Sequence, residues 1–186
     1  MPLPPPAARR HVHTRHVQVE GYLRDDGLWD VEASLIDDKP YAYDDFERGR
    51  RQPGEPVHKM SIRLTVDDDL VVRDAAAAMD DVPYPTCHDV PPRIEALIGM
   101  KLGGGWRNAV RERIAKRQAC THLLELIGPA ITTLFQSMSA KSFEDASGSR
   151  KAPTQKPYFI DGCWSWRSDG PALKKFFPQF VEKAEG

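Results

Sequence analysis

Gly21-Tyr-Leu-Arg-Asp-Asp-Gly-Leu-Trp-Asp-Val-Glu32 decides how the chain is read. At its centre Asp25-Asp26-Gly27 is a hairpin turn signal, because glycine reaches the left-handed backbone that tight antiparallel turns need. It predicts strands over 17–24 and 28–36. In the second, Trp29, Val31, Ala33 and Leu35 alternate with Asp30, Glu32 and Ser34, the period of a strand with one buried face. The carboxylates Asp25, Asp26, Asp30, Glu32, Asp37 and Asp38 read as turn residues and a solvated face, with acid–base duty as the competing reading.

Upstream, residues 1–16 form a Pro-rich arm, expected to be extended, and it carries His11, His13 and His16. His11 and His13 would share one side of a strand, as a polar edge or as a weak metal-binding pair. Downstream, residues 37–56 read as a loop punctuated by Pro40, Gly49, Pro53, Gly54 and Pro56. Met60, Ile62, Leu64 and Val66 then alternate again, Asp67-Asp68-Asp69 makes a turn, and Leu70 to Asp74 returns. The first half is therefore an antiparallel meander.

The second half is helical. Pro83, Pro85, Pro91 and Pro92 bracket Cys87 in a rigid loop, and Ile94, Leu97 and Ile98 have helical spacing. Gly103-Gly104-Gly105 lacks the lysine and spacing of a phosphate-binding loop and reads as a joint. Trp106, Val110 and Ile114 mark one side of a second helix, whose Arg107, Arg111, Arg113, Lys116 and Arg117 read as solvated surface or a dock for an acidic partner or a phosphorylated ligand. A third helix spans 121–138 on a stripe of Leu123, Leu124, Ile127, Ile131, Leu134, Phe135 and Met138, with a kink or break expected at Gly128-Pro129. The expected organisation is an α+β domain over 17–138, a linker over 139–157, and an aromatic tail over 158–186 that packs back on the domain. The fold class is α+β, an antiparallel meander with helices on one face.

Composition limits the function classes. The chain has 186 residues, 26 Lys plus Arg and 27 Asp plus Glu, so it lacks the basic excess of a nucleic-acid binder. No apolar run approaches the length of a membrane span, and the N-terminus lacks the apolar core of a secretory signal. Three distant cysteines give no disulfide framework, so the expected compartment is the reducing cytoplasm. The expected partner is a protein or a small-molecule ligand.

The chemistry-bearing residues converge on a few segments. Cys120 and His122 open the third helix, His58 precedes the Met60 strand, and Cys87 sits in the Pro-rich loop. Two sulfurs and two imidazoles suit tetrahedral zinc, or iron as the alternative. Buried thiols and a hydrogen-bonded helix-end histidine are the structural alternative. Cys120 and His122 can share an ion only if Cys120 lies just before the helix, since residues two apart on a helix face different ways. Glu125 shares a face with His122 and could orient it, act as a base, or equally be an ordinary solvent-facing glutamate, and Cys120 could act as a nucleophile.

Two resemblances attach to these residues. Gly21 to Glu32, Gly54-Glu-Pro-Val-His58-Lys-Met60 and Cys120-Thr-His-Leu123 resemble a bacterial family known only as a domain of unknown function, number 2889. More distantly, residues 54–138 are similar to iron–sulfur scaffolds of the NifU/IscU type, with Cys87 and Cys120 in the places of two scaffold cysteines. That likeness implies a SufE/NifU-like fold with a ligand site at one end of the sheet. The chain departs from it at His58, Met60 and Ala119, where scaffolds carry cysteine, aspartate and histidine. The function expected is a metal-binding protein holding zinc or iron at His58, Cys87, Cys120 and His122. A metal- or thiol-dependent hydrolase or lyase on a small acid or thioester, and a sulfur-accepting module, are the alternatives.

Overall fold

In a computed structural model of the chain, residues 3–114, 118–142, 153–157 and 159–181 are described. Lys116, Arg117 and Tyr158, and most of the expected linker, lie outside them. The chain divides into two units, Met1–Ser137 and Met138–Gly186.

The first unit is built on six strands: β1 (Thr14–Leu23), β2 (Trp29–Asp38), β3 (Tyr43–Asp45), β4 (Gly49–Arg51), β5 (His58–Val66) and β6 (Val72–Asp81). The α+β class expected from the sequence is what the structure shows. β1, β2, β5 and β6 form one antiparallel sheet in that order, and β3 pairs with β4 in a separate hairpin. The expected 37–56 loop therefore contains a hairpin of three-residue strands, too short for a period to register. Gly27, at φ +86°, makes the β1–β2 turn that Asp-Asp-Gly predicts.

Alternation sets the two faces. Trp29, Val31, Ala33 and Leu35 of β2 and Met60, Ile62, Leu64 and Val66 of β5 are buried on one face. The register pairs Val31 with Leu64, Ala33 with Ile62 and Leu35 with Met60, so each step of the core is a cross-strand apolar pair. Burial of such side chains stabilises by about 25 cal/mol per Å² of apolar surface removed from water.

After β6 the Pro-rich segment forms 3-10 turns at Pro85–Asp89 and Pro91–Leu97, not the helix expected around Ile94–Ile98. Prolines donate no backbone hydrogen bond, so tight turns replace a longer ladder. Ile94 and Leu97 are nonetheless buried. The next residues return to the sheet: Val72 N–H donates to Met100 O, and Leu102 N–H to Leu70 O. Helix α1 covers Trp106–Arg113 and buries Trp106 and Val110.

Helix α2 runs unbroken from Thr121 to Ser142 with Pro129 inside it. Of the kink or break expected at Gly128-Pro129, the break into two pieces does not occur. Within the first unit Leu123, Leu126, Ile127, Ala130, Ile131 and Leu134 are all buried, and this apolar stripe holds the helix together across the hydrogen bond that proline removes. The helix lies along β1. Glu125 meets Arg15 near its start, and Ser137 meets Gly21 twelve residues on. Twelve residues of helix span about 18 Å and six of strand about 20 Å, so the two run side by side.

The described residues of the second unit have their own small core. Trp166 faces Phe159 at 4.8 Å and Phe177 at 5.6 Å between ring centroids, over the buried Ile160 and Leu173. Helix α3 covers Pro171–Phe176.

Candidate metal centre

The apolar alternation of β2 ends on a charge. Counting by twos from Trp29 reaches Asp37, which is only 1 % exposed. It sits opposite Arg15 of β1 and opposite His58 of β5. The three form one cross-strand row on the buried face, at the end of the sheet. His122, in the first turn of α2, closes the row from above.

Asp37 is densely solvated by protein. Arg15 grips it with two bonds, Nε donating to Oδ1 at 2.7 Å and Nη2 to Oδ2 at 2.8 Å. His13 Nε2 approaches Oδ1 at 3.2 Å, and His58 Nδ1 approaches Oδ2 at 3.0 Å. His122 Nε2 lies 3.8 Å from Oδ2. Burial raises the Asp37 carboxyl, but the hydrogen bonds from Arg15 and His13 and the Arg15 charge outweigh it, and the group falls to about 2. It is ionised at neutral pH.

His58 is held toward its neutral form. Burial first, then the neighbouring His122, push His58 below its ordinary value, against the opposing pull of Asp37. The two rings stack with centroids 4.0 Å apart and planes tilted by 36°. A neutral His58 beside an ionised Asp37 is the protonation state that a metal ion requires of its ligands.

Among the described residues, Asp37, His58 and His122 form a group whose donor atoms lie within 4.8 Å of one another. Of the four ligands expected from the sequence, the structure brings two into this group, His58 and His122. Cys120 directly precedes α2, and its carbonyl accepts from Leu124 N–H, so the geometric condition on it holds. Its sulfur, however, lies 3.7 Å from Nδ1 of His122, whereas Asp37 faces Nε2. The thiol backs the imidazole instead of joining the donor group. Cys87 lies in the first 3-10 turn and is not a member of the group.

Glu125 does not touch His122. It pairs with Nη1 of Arg15, and its side chain is 60 % exposed. Exposed pairs of this kind contribute about 1 kcal/mol or less. Of the N-terminal histidines, His11 and His13 both precede β1, so they share no strand, and His13 turns to Asp37.

Asp37 is the residue that sequence reasoning undervalued, grouped with its neighbours as solvated. The signal was present: Asp37 continues the phase of Trp29, Val31, Ala33 and Leu35, and His58 that of Met60, Ile62 and Leu64.

Residues 13–136 match a family described as a protein of unknown function, DUF2889. That span holds every residue of the donor group and ends one residue short of the boundary of the first unit at Ser137. No curated protein and no solved structure matches the chain.

Proposed function

We propose that this chain, which belongs to the DUF2889 family of proteins of unknown function, is a metal-binding protein that holds zinc or iron at Asp37, His58 and His122. One observation carries the reading: Asp37 Oδ2, His58 Nδ1 and His122 Nε2 converge at the end of the sheet. Donors about 2.1 Å from a tetrahedral zinc lie about 3.4 Å from one another. The 3.0 and 3.8 Å separations at Asp37 bracket that value.

The surroundings support it. A carboxylate ligand is oriented by hydrogen bonds, which Arg15 and His13 supply on Oδ1 and Arg15 also supplies on Oδ2. An imidazole ligand is oriented through its second nitrogen, where His122 meets Cys120. Two imidazoles and one carboxylate suit catalytic zinc or non-haem iron and leave coordination positions for water or a ligand. When bound there, the ion would act as a Lewis acid toward that ligand. The set is not the thiolate-rich set of a cluster scaffold, which puts the function on a mononuclear ion.

Zinc titration and elemental analysis of the chelator-treated protein test this. About one ion per chain is expected, lost in His58→Ala and His122→Ala and retained in Cys87→Ser. Retention in both histidine variants would remove the reading.

A second reading follows from the same residues. Cys120 Sγ, His122 and Asp37 stand in the order of a nucleophile, a base and an orienting carboxylate, at 3.7 and 3.8 Å. The 3.8 Å between His122 Nε2 and Asp37 exceeds hydrogen-bond reach, so the carboxylate does not orient the base, and the metal reading is preferred. Rapid alkylation of Cys120 that slows in His122→Ala, in protein that takes up no metal, would favour the thiol.

A further inference from the structure

Arg15 presents two edges of different character. Its inner edge, Nε and Nη2, is fixed on a carboxylate that is 1 % exposed. Its outer nitrogen, Nη1, reaches toward solvent and holds only the carboxylate of Glu125, which is 60 % exposed. The first bond pair belongs to the buried row. The second is a surface ion pair, readily exchanged and screened by salt.

We propose that the outer edge of Arg15 is a seat for a ligand carboxylate, and that Glu125 occupies that seat when no ligand is present. The ligand class is a small carboxylic acid with a second oxygen donor. One end takes the place of Glu125 on Arg15, and the other reaches the position left open on the ion; that second half rests on the metal reading. Arg15 bridges the two ends because its Nη2 already holds Oδ2 of Asp37, the same oxygen that faces His58 and His122. A planar guanidinium with its inner edge locked presents the outer edge in a fixed direction, which favours a carboxylate over a spherical anion. Glu125 stands on the first turns of α2, so its side chain can swing into solvent without moving the backbone.

The test is calorimetric titration of oxalate into the zinc-loaded full chain at fixed ionic strength, with acetate alongside. Glu125→Gln removes the resident carboxylate and should tighten oxalate about 2- to 5-fold, the displacement of one surface ion pair. Glu95→Gln, which changes net charge equally, should leave oxalate unchanged, and acetate should bind more weakly than oxalate throughout. Arg15→Lys, checked for zinc content, should weaken oxalate at least about tenfold, because a point charge replaces a directed edge. Equal oxalate affinity in wild type and Glu125→Gln, or equal tightening in Glu95→Gln, would overturn the proposal. If zinc does not bind, the same comparison on the metal-free chain decides it. Tightening in Glu125→Gln alone would keep the seat on Arg15 while the metal reading falls, and no tightening would remove both.

Discussion

A carboxylate with almost no exposed surface keeps its charge only when donors surround it, and Asp37 is met by Arg15, His13 and His58. Removing that charge leaves the Arg15 guanidinium without its main partner. Asp37→Asn should therefore lower stability by about 3 kcal/mol in chelator, read from urea unfolding at pH 7, as well as abolish metal uptake. The acid dependence follows from the same group. Its folded value, about 2, lies below the ordinary 3.8, so its contribution is full above about pH 4 and fades as the pH falls toward 2. The gap between wild type and Asp37→Asn should shrink by about 2 kcal/mol between pH 5 and pH 2. A constant gap would mean that the asparagine disturbs packing alone. At this scale the sequence was legible for His58 and His122, whose type announces ligand chemistry. Asp37 was hidden by its acidic neighbours, because composition reports solvation and only phase reports burial.

Among the elements, the strands could be read from alternation and the helices from their apolar stripes, while the ends of both were set by partners the period does not encode. β6 runs to Asp81, well past the expected Asp74, because Ala75 to Ala78 pair with Ser61 to Leu64 although alanines carry no strong strand signal. The Gly128-Pro129 break failed for the same reason: tertiary burial of the stripe outweighs one missing hydrogen bond. Register carries the site as well as the core. A one-residue slip of β1 against β2 would turn Arg15 away from Asp37, so the charged row opposes slippage that the exposed edge strand would otherwise permit. The close approach of α2 to β1 is set at Gly21, where an added Cβ would lie 2.1 Å from Ser137 Oγ. That hydroxyl already donates to Thr133 O. Gly21→Ala should cost about 1 to 2 kcal/mol, and the double variant with Ser137→Ala should recover part of it, measured by thermal unfolding.

Over the whole molecule, every residue of the donor group and of the carboxylate seat lies in the unit Met1–Ser137. Among the described residues no helix is long and apolar enough to cross a membrane. A chain ending at residue 157, without the aromatic core around Trp166, should still take up one ion per chain by zinc titration; loss of uptake would make the second unit part of the site. Two of the proposed ligands, Asp37 and His58, flank the β3–β4 hairpin, whose neck is closed by Val57 N–H donating to Asp37 O and Gly54 N–H to Lys39 O. The tip is open to solvent, with Phe46 99 % exposed. Cutting the backbone there would place the two ligands on separate polypeptides that still meet as neighbouring strands. The ion would then be the clasp between two fragments, and reassembly of the pair would report metal in solution.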